Sequence, residues 1–173
     1  MSVISNNQLA GASGQGGSGY QIDRSLRFNA DDSSELLRTP SSAGNRKTWT
    51  WSSWIKRSKL GLDELIYYAR TSGSANAKIA FDTSNRLIVE STAGCTKITS
   101  AVFRDLSSFF HVVVKFDAAN TNCDIYVNGS EITVFDTNTE PANTDHEINN
   151  TSAHYIGGFA HFNGYLADVH FID

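Results

Sequence analysis

The stretch "FFHVVVKFDAANTNCDIYVNGSEI" (109–132) sets the reading of the whole chain. Within it, Val112, Val114 and Phe116 fall on one face and His111, Val113 and Lys115 on the other, the period-two pattern of a strand. A second run, "CDIYV", ends in Asn128-Gly129, the pair best suited to the two positive φ angles of a type I′ turn. Residues 123–127 and 131–135 are therefore expected to be antiparallel neighbours.

The same alternation extends outward. In "TWTWSSWIKR" (48–57) Trp49, Trp51 and Ile55 share one face, and Thr50, Ser52, Trp54 and Lys56 the other. Tryptophan on both faces predicts a central strand covered on both sides. Further candidate strands are "SLRF" (25–28), "ELIYYAR" (64–70), "AKIAF" (77–81), "RLIVES" (86–91), "TKITSAVF" (96–103), "EITVF" (131–135), "HYIGGF" (154–159) and "GYLADVHFID" (164–173). No segment keeps helical spacing for more than a turn or two. Short strands punctuated by Gly, Asn, Asp and Ser predict an all-β, antiparallel two-sheet sandwich.

At 173 residues and 40% hydrophobic content the chain fits one domain plus an appendage. A net charge of −4 with no run of Lys or Arg argues against nucleic acid. No stretch approaches the roughly 20 apolar residues of a membrane span. Cys95 and Cys123 lack CxxC spacing and read as two reduced, half-buried thiols. The N-terminus reads differently from the rest. Five of the nine residues from Gly11 to Gly19 are glycine, which loses the most backbone entropy on ordering and here has almost nothing apolar to bury in return. Val3, Ile4, Leu9, Tyr20 and Ile22 are apolar anchors along this tether. The division expected is an attachment arm over 1–22, ordering on a partner, and a folded domain over 23–173.

Taken in order, "SLRFNADDSSELLRTP", "TWTWSSWIKR", the 109–132 stretch and "HYIGGFAHFNGYLADVHFID" resemble concanavalin A-like lectin/glucanase domains of the laminin-G/pentraxin type. The resemblance runs from residue 25 to the end and implies a jelly roll. With the arm included, "NNQLAGASGQGGSGYQIDRSLRFN" followed by "LLRTPSSAGNRKTWTWSSWIKR" resembles the N-terminal region of fibre-like or decoration proteins of tailed bacteriophages. That resemblance implies a structural virion protein, made in the host cytoplasm and joined to capsid or tail by its arm. Its partners would be other virion proteins, copies of itself and, in an adhesin reading, host-surface glycans. It also implies a chain that continues past "FID".

The jelly roll hosts glucanases that use paired carboxylates, but no E-x-D-x-E or E-x-D-x-x-E pattern occurs, and no Ser-His-Asp or H-E-x-x-H grouping is legible. An enzyme is not expected. The oxygen-rich run Asn143–Asn150 reads as a solvated loop rather than a calcium site, so neither metal nor cofactor is expected. Sugar binding needs an aromatic to stack on and polar groups to fix hydroxyls. Tyr67 and Tyr68 are eligible; the glycine-flanked loop 157–164 is the better candidate, through His161, Phe162 and Asn163.

Overall fold

A computed structural model describes residues 21–71, 74–160 and 162–173. Thirteen strands follow one another: β1 (Leu26–Phe28), β2 (Leu36–Arg38), β3 (Thr48–Arg57), β4 (Glu64–Arg70), β5 (Asn76–Phe81), β6 (Arg86–Ser91), β7 (Cys95–Val102), β8 (Phe110–Asp117), β9 (Asn122–Val127), β10 (Ser130–Glu131), β11 (Phe135–Thr139), β12 (Ala153–Ile156) and β13 (Gly164–Ile172). They form a six-stranded sheet, β1-β13-β3-β8-β9-β10, and a seven-stranded sheet, β11-β7-β6-β5-β4-β12-β2. All pairings are antiparallel. The all-β two-sheet sandwich expected from strand spacing is the fold observed.

The turn at Asn128-Gly129 has the expected geometry. Both residues have positive φ, 51° and 78°, and Ser130 pairs with Val127 across it. The Asn128 side chain also accepts from the His111 N–H at 2.8 Å, which ties the turn to β8. Beyond Glu131 the expected strand 131–135 breaks. Ile132 turns toward the core while Val134 faces solvent, and from Phe135 the chain pairs with β7 in the other sheet. The crossing between sheets therefore falls inside a run that reads as one strand. Strand β2 has no alternation to announce it, since Leu36, Leu37 and Arg38 are all exposed.

β3 lies between β13 and β8, and its inward residues Trp49, Trp51, Ser53, Ile55 and Arg57 are all buried. Trp51 stands opposite Val114, and both are fully buried. Trp49 stacks on Phe116 with ring centroids 4.7 Å apart, a contact worth about 0.5–1.5 kcal/mol beyond its area. The outward face of β3, Trp54 included, is half-buried rather than buried. Cys95 and Cys123 are free thiols, but buried rather than half-buried. A hydrogen bond that the protonated Cys123 thiol makes to Cys95, together with burial, pushes the Cys123 thiol well up from its usual range.

His154 on β12 is held in one tautomer. Its Nε2 accepts from the Asn149 N–H at 2.8 Å, and its Nδ1–H donates to the Ser152 carbonyl at 2.8 Å. Burial pulls its pKa below the usual 6.5. The folded state then binds fewer protons than the unfolded chain, so stability is complete above that value and falls as pH drops through it. Denaturant midpoints are expected to fall between pH of about 7.5 and about 5.5. His154→Gln, which can still accept from Asn149, should flatten part of that slope; an unaltered slope would contradict the assignment.

Candidate functional site

The loop after β12 behaves as an extension of the sheet. Pairing of β12 with β4 ends at Ile156 opposite Tyr67, yet the Gly157 N–H donates to Ile66 O at 3.0 Å and the Leu65 N–H to Ala160 O at 2.8 Å. Residues 157–160 are thus pinned alongside β4. Gly157, at φ +72°, has to be glycine, because a Cβ there would meet the Phe28 ring at 2.2 Å.

This anchoring corrects the expected site. Phe162 is fully buried and packs against Phe28 at 6.2 Å, because the chain has turned back into the core at that point. Asn163 is also buried: its N–H donates to Glu64 Oε1 at 3.0 Å, its Oδ1 accepts from the Ala30 N–H at 3.2 Å, and its carbonyl accepts from the Ser58 N–H at 2.8 Å. Neither side chain is presented to a ligand. His161 lies outside the described residues, as do the arm anchors Val3, Ile4, Leu9 and Tyr20; Ile22 is half-buried. Tyr67 belongs to the core between the sheets, and burial pushes its phenol well up.

The side chain that the loop does present is Phe159. It is 50% exposed and has φ +70°, a left-handed backbone that is uncommon for a bulky residue and costs on the order of 1–3 kcal/mol. Its ring stacks on Tyr68 at 4.8 Å, with Tyr155 at 6.2 Å and the Arg70 guanidinium 5.4 Å from its centroid. Tyr68 points away from the main core. With Leu65 and Ala80 it forms a small second cluster on the outer face of the seven-stranded sheet, against Tyr155 and Ala160. Burial pushes the Tyr68 phenol up, and Arg70 opposes this.

Beside Phe159 a cleft of about 270 Å³ opens on this face, floored by Leu65, Tyr68, Ala80 and Ile88 and carrying Asp63, Asn76 and Lys78 as its polar groups. Lys78 is paired with Glu90 across β5 and β6 at 3.4 Å. Rings on the floor and wall with amide, ammonium and carboxylate at the margin suit an amphipathic ligand. The sequence made Tyr68 eligible together with Tyr67 and did not single out Phe159, since nothing in "GGFAHF" says which aromatic turns out.

The run Asn143–Asn150 is not the solvated loop expected. His146, Glu147, Ile148 and Asn150 are buried. Ser91 Oγ lies 2.6 Å from His146 Nδ1 and 2.5 Å from Glu147 Oε2, Thr92 donates to Glu147 Oε1 at 2.8 Å, and His146 Nε2 lies 3.0 Å from Ala142 O. This cluster fastens the loop to the end of β6. Among the described residues no group of three or more His, Cys, Asp or Glu is placed to hold a metal ion.

A family model for the concanavalin A-like lectin/glucanases superfamily matches residues 29–173. The chain belongs to that superfamily. Among solved structures of this fold, a candidate carbohydrate-binding protein from Bacteroides ovatus superposes with a TM-score of 0.66 at 15% identity, over 88% of this chain and 44% of that one. Domains LG4-5 of the mouse laminin α1 chain give 0.61 at 16% identity, over 87% and 42%. The heptameric SAP-like pentraxin of Limulus polyphemus gives 0.58 at 16% identity, over 85% and 74%. The chain thus spans less than half of two of these three proteins. Comparison with curated proteins returns no match.

Proposed function

We propose that this superfamily member is a non-catalytic glycan-binding module whose ligand lies on the outer face of the seven-stranded sheet. The observation that carries the reading is Phe159, held half-exposed against Tyr68 at the mouth of a cleft with polar margins. A pyranose offers such a site an apolar C–H face for the ring and hydroxyls for Asp63, Asn76 and Lys78. Binding is favoured over hydrolysis because three carboxylates that the core or its rim engages have structural partners: Glu64 has Arg57, Glu140 has Lys97, and Glu147 has Ser91 and Thr92. The Bacteroides relative, a candidate carbohydrate-binding protein, agrees in kind.

Phe159→Gly removes the ring and suits φ +70°, so the fold should persist. Calorimetry on the oligosaccharides that a glycan array selects should show affinity for ligands of this face reduced about tenfold or more. Unchanged affinity for every array ligand would remove this site from consideration.

A second reading, display on a tailed-phage particle, has its own supporting observation. β1 and β2 are each the edge strand of a sheet, with Leu26, Leu36 and Leu37 exposed by 56%, 47% and 58%. Open edges with apolar side chains favour pairing with another chain. In this reading residues 1–22 join the domain to capsid, tail or a second copy. Deleting residues 1–20 should leave the melting curve of the domain in place and abolish incorporation into particles; full incorporation of the truncated chain would refute the anchor.

A further inference from the structure

Two thiols meet at one rim of the core. In the seven-stranded sheet Ala69, Ala77, Ser91 and Cys95 stand in one cross-strand row, all of them buried. In the six-stranded sheet a second buried row, Trp49, Phe116 and Cys123, ends in the other cysteine. Cys95 opens β7 and has no partner in β11, whose pairing with β7 stops at Thr96; β10 likewise stops short of Cys123. The two side chains belong to the same core cluster and are hydrogen-bonded to each other across the sheets. One segment closes this rim. After β11, Glu140 Oε2 accepts from the Cys123 N–H at 3.0 Å, its Oε1 binds Lys97 Nζ at 2.5 Å, and the Ala142 N–H donates to Gly94 O at 2.9 Å. The exposed Glu140 thus reaches from one sheet to the other beside the thiols.

We infer that Cys95 and Cys123 are a redox-active pair, which an external disulfide of the glutathione type converts to a crosslink between the two sheets. The thiolate of one cysteine attacks a sulfur of the external disulfide, forming a mixed disulfide and expelling one small thiolate. The thiolate of the second cysteine then attacks the protein sulfur of that mixed disulfide and expels the other. The cysteines give up two protons and two electrons, and the oxidant leaves as two thiols. Both sulfurs are buried, and the mutual hydrogen bond helps to hold the Cys123 thiol protonated, so the closed domain is inert to oxidant. Exchange starts when the 139–142 segment lifts. That movement exposes the sulfurs and takes Glu140, which opposes the Cys123 thiolate, away from Lys97, which favours it. A crosslink needs the two Cα atoms within about 7 Å of each other, whereas sheets ordinarily pack about 10 Å apart. The small residues of the row that ends in Cys95 allow the closer approach.

The test incubates the full chain with oxidised glutathione at a pH of about 8, in urea well below the unfolding midpoint so that the opened segment is populated. The monomer should lose the mass of two hydrogens, no thiol should remain for alkylation, and digestion should yield one peptide pair joined through residues 95 and 123. The crosslink closes a loop of about 30 residues, so the urea midpoint should rise by roughly 1 M and return on reduction. Cys123→Ala should show no such gain. Glu140→Gln, which can still accept from the Cys123 N–H, should crosslink several times faster when each protein is held equally far below its own midpoint. The inference is overturned if the thiols stay free or give only glutathione adducts or interchain dimers. It is also overturned if the crosslinked chain unfolds at a lower midpoint than the reduced one, which would mean that the sheets are held too far apart, or if Cys123→Ala gains as the parent does. An unchanged rate in Glu140→Gln would overturn the gating by residues 139–142.

Discussion

One buried ion pair joins the two sheets and shapes the loop that carries the candidate site. Arg57 ends β3 in the six-stranded sheet, Glu64 begins β4 in the seven-stranded sheet, and both side chains are fully buried. Arg57 Nη2 and Nε lie 2.8 and 2.9 Å from Glu64 Oε2, Nη1 donates to Phe103 O at 2.8 Å, and the guanidinium sits 4.3 Å above the Phe81 ring. Burial pushes the Glu64 carboxyl up, against the pull of Arg57 and the Asn163 N–H. A pair of this kind contributes little net stability compared with apolar residues of the same shape, but removing one partner costs about 3–5 kcal/mol. Its effect here is positional. Glu64 Oε1 holds the Asn163 backbone, and Gly164 follows so closely packed that a Cβ would meet Lys56 O at 2.2 Å. With that end fixed and Gly157 bonded to Ile66, Phe162 is committed to the core and Phe159 to the outside.

Strand existence was legible because period-two alternation depends only on which face is buried. The runs 48–57, 64–70 and 86–91 match β3, β4 and β6 residue for residue. β2 and β11 were not legible, since one is exposed on every residue and the other sits on the rim of its sheet. Arg57 falls on the same alternating face as Trp51 and Ile55, yet charge gives no sign of burial when its partner lies seven residues on, in another sheet. Loop residues were read worst. The polar run 143–150 has the composition of a solvated loop, but Ser91 and Thr92 supply the partners that let Glu147 and His146 be buried. In "GGFAHFNG" the directions of Phe159 and Phe162 are decided by backbone bonds to β4, which no local pattern encodes.

The candidate site follows from a backbone irregularity beside an otherwise regular sheet. At Phe159 a left-handed residue holds a ring out over Tyr68. Regular strands fill the sandwich with Trp51, Val114 and their neighbours, and the departures from regularity place chemistry on its surfaces. In this account the core accounts for the fold, and the left-handed Phe159 places an aromatic ring on its surface.

The central claim is that the ligand meets Phe159 and Tyr68 on the outer face of the seven-stranded sheet. Its most direct measurement is NMR on protein carrying labelled phenylalanine and tyrosine rings, titrated with an array-selected oligosaccharide. The account predicts saturable shifts for the rings of Phe159, Tyr68 and Tyr155, with Tyr67, Phe116 and Phe162 unmoved between the sheets. Shifts confined to other rings, with Phe159 silent at saturation, would contradict it.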